Sequence, residues 1–564
     1  MRLRDFSKRV FFVVYASFFL ALFSCQSQAK VLLDVPAFYP SELISSSSGG
    51  IKYFSFTQDQ KGAISNFFES NGDAALLISM QSLKLKVSPQ ENAPLISFGF
   101  FYTNSEKSSE VQSLPVVTDN LQKYQGSPFS LAFCFSKERG LPQGFFIKTA
   151  SNVKIVSSQI TRAFVGHDFS GEIPVFAFAP NGGVNNGRDD FRGASLVFSS
   201  TNDRENLMPT ILLKLSESAK SQKIAFGGEV LTVRSSEVPC EIPAASLKSP
   251  FSDVAYPDGD TLPEILVMRA SDKKALSFAQ GKKNVLVPIK CDPGLVIKWP
   301  RNNWRGNDYE FFEWDRFPGV FLFDISTYSV QDDFFRRIAY FVEKSGFKGR
   351  LLSDSELEGR HGYNAHDYKA DDLARFFEKA RNENFPLNEK ELLLKQILVD
   401  NAVLVLDSDG SVKPGRGAVI SICQESSSDL RSSLLAHEGW HGIYFSDENF
   451  RNTVASVYYT IDSRTLDYLI RYFRITPSLN YDVNDEYLLK NEFMAYLLQQ
   501  GLRYTSTYFV NKAKREHSQQ LAKEEADYVI QTNGSGFASA ARLLDEYVND
   551  RWGLNAGRVW MISR

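Results

Sequence analysis

Cysteine and histidine are scarce in this chain, with five of the first and six of the second among 564 residues. No C-x-x-C spacing occurs, so a zinc site built on cysteines has no support. Basic runs are also missing beyond the extreme N-terminus, and the formal net charge is only -3, so nucleic acid is not an implied partner. Past the N-terminus no stretch of about 18 apolar residues appears, which excludes a later spanning helix of ordinary length. No internal repeat is detectable. What is present is a chain 43% hydrophobic, enough for two or three domains with their own cores, and 13% aromatic, which favours strand-rich regions with aromatic cores.

The first residues read as an export signal. Arg2, Arg4, Lys8 and Arg9 precede an apolar run over residues 10–23 that only Ser17 interrupts. Two processing routes are open. Small residues end at Ala29, where ordinary cleavage would fall, whereas Leu22, Phe23, Ser24 and Cys25 resemble a lenient bacterial lipobox with Cys25 as the lipid anchor. Either route makes the protein exported, periplasmic or held at the cell surface as a lipoprotein. Setting Cys25 aside leaves Cys134, Cys240, Cys291 and Cys423, an even number for which three disulfide pairings are conceivable in an oxidising compartment. Cys423 closes an apolar segment and reads as a buried thiol.

Three regions follow: a signal over 1–29, a β-rich region over 30–300 and a mixed region over 301–564. In the β-rich region short apolar or alternating runs recur at 75–80, 95–102, 129–135, 144–147, 175–179, 211–215 and 285–289. Turn-forming clusters such as 45–50 and 181–190 separate them. One or two antiparallel sandwiches are expected. His167 there reads as a loop or surface histidine. After residue 300 the pattern turns to α+β: a buried strand at 319–325, a helix over 329–344, and two more over 369–380 and 388–400. A hairpin is expected next, with residues 418–422 as its second strand. The chain beyond is mostly helical.

The centre of the reading is the stretch 428–445, a helix containing His437, Glu438 and His441 in an H-E-x-x-H motif. Imidazoles at i and i+4 leave the same helical face one turn apart, so both can reach one metal ion, and the glutamate between them can hold a water. Leu430, Leu434 and Phe445 extend that face and point it inward. Catalytic zinc takes three protein ligands and leaves a position open, so a third must come from elsewhere. Glu492, in NEFMAYLLQQG on a later helix with apolar neighbours, is the best candidate. Asp447 stands at the offset used by metzincins, but Tyr444 occupies the place where that pattern needs glycine.

The motif together with the Asn491-Glu492 pair resembles the gluzincin group of zinc metallopeptidases, over two short helices. The resemblance implies a zincin-like catalytic domain, Zn2+ held by His437, His441 and Glu492, and Glu438 as general base. It implies a zinc metalloendopeptidase-like hydrolase acting on a peptide or protein substrate laid along the strand ahead of the motif. Tyr496 departs from the pattern, standing where many gluzincins carry an acid that orients a histidine. Tyr496 and His366, the latter in a polar loop, are further candidates for contacts with substrate or transition state. A rival reading is an envelope-associated β-rich binding protein with a structural metal site.

Overall fold

The computed structural model describes residues 285–479 and 481–564. Ahead of them it describes 37–38, 44–48, 51–71, 74–82, 96–102, 128–135, 140–149, 153–162, 164–171, 175–178, 209–216, 218–248, 254–259 and 262–270. The export signal with Cys25 and the turn at 181–190 lie outside the described residues. Among those described, no helix is long and apolar enough to cross a membrane. The chain is β-rich in its N-terminal part and mostly helical towards its C-terminus. It divides into two compact units, Met1–Thr201 with Ser252–Val254 and Val267–Ala270, and Asn202–Phe251 with Ala255–Leu266 and Ser271–Arg564.

In the first unit, the strands Val153–Arg162, Ala74–Ser82 and Pro128–Phe135 lie side by side and antiparallel. A separate antiparallel sheet runs Ile44–Ser48, Ile51–Ser55, Gly144–Thr149 and Ile96–Phe101. Alternation along each strand sends every second side chain inward, so Phe54, Phe98 and Phe145 of one sheet share a core with Leu76, Phe133 and Phe135 of the other. Phe98 stacks on Phe133 with ring centroids 3.6 Å apart. The helix Gln58–Asn71 adds Ile64 and Phe68 to this core. His167 departs from expectation. It is a buried strand residue, paired opposite Phe176 and stacked on Phe169. The four cysteines Cys134, Cys240, Cys291 and Cys423 are all free and buried, so none of the conceivable disulfides forms. Burial pushes Cys134 up to about 12 and Cys423 up to about 11, which leaves both as inert thiols.

The composition change near residue 300 marks where helices become frequent, whereas packing draws most residues from 202 onward into the second unit. The reason is long-range pairing. The strand Glu229–Arg234 takes the strand Ile562–Ser563 as its neighbour, with Val233 opposite Ile562. Buried Asp292 accepts hydrogen bonds from the backbone N–H groups of Met561 at 2.7 Å and Ile562 at 3.2 Å.

The sheet that carries the site comprises β1 (Ile289–Cys291), β2 (Tyr309–Trp314), β3 (Val320–Ile325), β4 (His366–Lys369) and β5 (Ala418–Cys423), in the order β1-β2-β3-β5-β4. The strand expected at 285–289 is thus displaced to Ile289–Cys291. Helices α1 (Tyr328–Val342), α2 (Ala370–Asn382) and α3 (Glu389–Asp400) cover one face. Phe321, Phe323 and Ile325 meet Phe334, Ile338, Phe376 and Leu394 there. Beyond the sheet come α4 (Ser428–Ser446), α5 (Glu448–Thr460), α6 (Ser463–Ile475), α7 (Glu486–Leu498), α8 (Leu502–Ala513) and α9 (Ser535–Trp552).

Two expectations about β5 need correction. The hairpin is formed by Leu404–Leu406 and Val412–Pro414, with its turn at Asp407 to Ser411, so residues 418–422 are not its second strand. β5 itself pairs parallel with β3 and antiparallel with β4, so both of its edges are occupied and no further strand can add to it. The terminal strand of the sheet beside α4 is β4.

Helix α4 lies on the opposite face from α1. A Cβ added at Gly442 would sit 2.7 Å from Val320 Cγ1, so glycine is what lets the helix approach β3 this closely. Gly442→Val is expected to lower stability by about 1–3 kcal/mol through overpacking, read as a shifted urea midpoint. An unshifted midpoint would show that the contact can yield.

Candidate metal centre

Helix α4 begins where Ser427 accepts a hydrogen bond from Leu430 N at 3.4 Å, and its first turn is tied to the sheet by a buried ion pair. Arg431 donates to Asp324 of β3 through both terminal guanidinium nitrogens, at 2.8 and 2.9 Å. This tether, rather than an apolar stripe, holds the first turn. Leu430, expected to continue the histidine face inward, is 40% exposed. Further along, Leu435, Ala436, Trp440 and Ile443 are buried, and Trp440 Nε1 donates to Leu498 O at the end of α7 at 2.9 Å. That contact sets the two helices against each other.

Helix α7 is capped by Asp485, which accepts from Tyr487 N and Leu488 N, and it turns Glu492 towards the histidines. His437 Nε2 lies 3.6 Å from Glu492 Oε2, and His441 Nε2 lies 3.7 Å from Glu492 Oε1. The ligand atoms of His437, His441 and Glu492 all fall within 4.8 Å of one another. His441 is fully buried and Glu492 and Glu438 nearly so, while the His437 side chain keeps 12% of its surface.

Distance decides how this cluster is held. A charged hydrogen bond between imidazole and carboxylate would close to about 2.7–2.9 Å. Ligand atoms around a four-coordinate zinc, each about 2.0–2.2 Å from the ion, stand roughly 3.3–3.6 Å apart. The observed separations are too long for the first and close to the second. His441 Nε2 and Glu492 Oε2 are buried without a hydrogen-bond partner, a cost that a shared cation would remove. Burial lowers His441 to about 4, so the ring is neutral at pH 7, the form that ligates. The donor set of two imidazole nitrogens and a carboxylate therefore fits Zn2+.

Residues not foreseen from sequence complete the surroundings. Gln499, just past α7, faces His437 Nδ1 at 3.0 Å through its amide oxygen. Asp367 of β4 faces His441 Nδ1 at 3.7 Å and accepts from Asn491 Nδ2 at 3.5 Å. Each histidine thus turns Nδ1 towards an acceptor and Nε2 towards Glu492, which is how outer partners orient metal-binding imidazoles. Asp367 also lies against Glu438, and these two with His441 form a second close group. Burial raises Glu438 well above the usual carboxylate range, with Asp367, Glu492 and Glu343 adding repulsion, and burial raises Asp367 to about 6.

The two remaining candidates separate. Tyr496 packs edge-on against His437 with ring centroids 5.3 Å apart. His366, expected in a loop as a substrate contact, is a buried residue of β4 on the far side of the sheet. Its Nδ1 is 2.8 Å from Tyr368 Oη, and its ring packs on Phe335 of α1. Strand alternation explains the exchange, because in HDYK it is Asp367 that faces α4 while His366 and Tyr368 face away. Asp447 caps α5 by accepting from Phe450 N at 2.7 Å, and so serves a helix end. No family model, no curated protein and no solved structure matches this chain.

Proposed function

We propose that the chain is a zinc-dependent peptidase of gluzincin type, its second unit a zincin-like catalytic domain and its first a sandwich-like β region. Export to the periplasm or cell surface, with Cys25 as lipid anchor in the lipoprotein form, belongs to the same proposal. The observation that carries it is the convergence of two Nε2 atoms on the two oxygens of Glu492, at 3.6 and 3.7 Å, beside Glu438.

His437, His441 and Glu492 would hold the ion. When bound, zinc supplies a Lewis acid that polarises the scissile carbonyl and makes water acidic. Glu438, in its ionised form, would take a proton from the attacking water and pass it to the leaving amine. An extended peptide is accommodated along β4, the terminal strand whose Asp367 borders the site, by strand addition.

The rival reading, a binding protein with a structural metal, has the near-complete burial of Glu438, His441 and Glu492 on its side. Hydrolysis separates the two. Incubation with a broad peptide library is expected to yield cleavage that 1,10-phenanthroline abolishes and added Zn2+ restores. Tightly held zinc with no cleavage of any peptide would favour the binding protein.

A further inference from the structure

From the contacts around His437 we infer that Gln499, held by Tyr508, is the positioning residue that keeps Nε2 of this histidine free to bind metal. The inference rests on the peptidase reading of the site and names a part of it that no sequence motif marks.

Gln499 Oε1 is an acceptor only, so the 3.0 Å contact with His437 Nδ1 requires the proton to be on Nδ1. The lone pair is then on Nε2, which points at Glu492. Turned over, the same amide would present N–H to Nδ1, force the ring proton onto Nε2 and cost the site a ligand. The amide is anchored at its far end, where Gln499 Nε2 donates to Tyr508 Oη at 2.6 Å. Tyr508 belongs to α8 and is itself pinned from one side. The Lys512 ammonium lies 4.7 Å over its ring and 4.7 Å over that of Tyr472, and donates to Tyr472 Oη at 2.8 Å. Tyr496 contributes the other restraint on His437, edge-on to its ring. The path from α8 to the metal is therefore Lys512, Tyr508, Gln499, His437.

The path is tested on the full chain by titrating zinc against a chromophoric chelator and by recording the visible spectrum after Co2+ substitution. Gln499→Met is expected to weaken zinc binding by about 10–100-fold and to alter the cobalt bands, with the unfolding temperature of the metal-free protein unchanged. Gln499→Glu, which keeps an acceptor for Nδ1, is expected to retain zinc affinity close to the wild type. Tyr508→Phe should fall between them. Wild-type affinity in Gln499→Met, in a protein whose His437→Ala variant loses zinc, would overturn the role of Gln499 while leaving the metal site standing. So would equal losses in Gln499→Met and Gln499→Glu. Wild-type protein that takes up no zinc would overturn the metal reading itself, and this inference with it.

Discussion

Glu438→Gln is expected to keep its zinc and lose peptide hydrolysis by about 10²–10⁴-fold, the usual worth of a positioned general base. The substitution preserves shape and leaves His437, His441 and Glu492 in place, so metal content measured on the same preparation should match the wild type. The new amide can donate to Asp367, which now lies against Glu438, so the fold has no reason to fail. What disappears is the carboxylate proposed to accept the proton of water. Turnover equal to the wild type would remove Glu438 from the mechanism. Loss of zinc along with activity would show instead that Glu438 holds the ion, as its grouping with Asp367 and His441 would allow.

Arg431→Met should cost about 3–5 kcal/mol of stability, the largest structural effect expected for a single change in α4. Both partners of the pair are inaccessible, with 4% exposure for Arg431 and 0% for Asp324. Removing the guanidinium leaves a buried carboxylate whose remaining side-chain donor is Gln424, at 2.6 Å. Burial already pushes Asp324 above its ordinary range, against the pull of Arg431. Its neutralisation is the cheapest response, and it still leaves the strand-to-helix tether broken. Combining Arg431→Met with Asp324→Leu should recover most of the loss, because replacing both charges by apolar groups is often close to neutral. Urea midpoints of the two variants check this. A double variant as unstable as the single one would mean that Arg431 acts through its contacts with Val296 and Ile297 rather than through Asp324.

How far the sequence reaches is best seen residue by residue. His437, Glu438 and His441 are legible because one helical period links them, and Glu492 because apolar neighbours mark its helix as buried. Asp367 and Gln499 are not legible. They reach the histidines through tertiary contacts between distant elements, and no local period connects them to the motif. Asp367 was further hidden by the shortness of its strand. HDYK follows a polar, glycine-containing stretch that reads as loop, so the alternation that separates Asp367 from His366 has too few residues to register. Much the same holds for the division of the chain. Composition changes near 300, but the strand Ile562–Ser563 and the hydrogen bonds that Asp292 accepts from Met561 and Ile562 bind residues far apart in sequence, and only packing reveals it. The β character of the first region was readable from alternation, whereas the burial of His167 was not, since a histidine between turn-like residues carries no sign of which strand will cover it.

Whether His437, His441 and Glu492 surround one divalent ion is decided by zinc-edge X-ray absorption on protein purified without added metal, with zinc counted in the same sample. Expected are one zinc per chain, two imidazole nitrogens and carboxylate oxygen bound to it, and loss of that zinc in Glu492→Ala. A protein without stoichiometric zinc, or zinc without imidazole ligands, would contradict the proposed metal site.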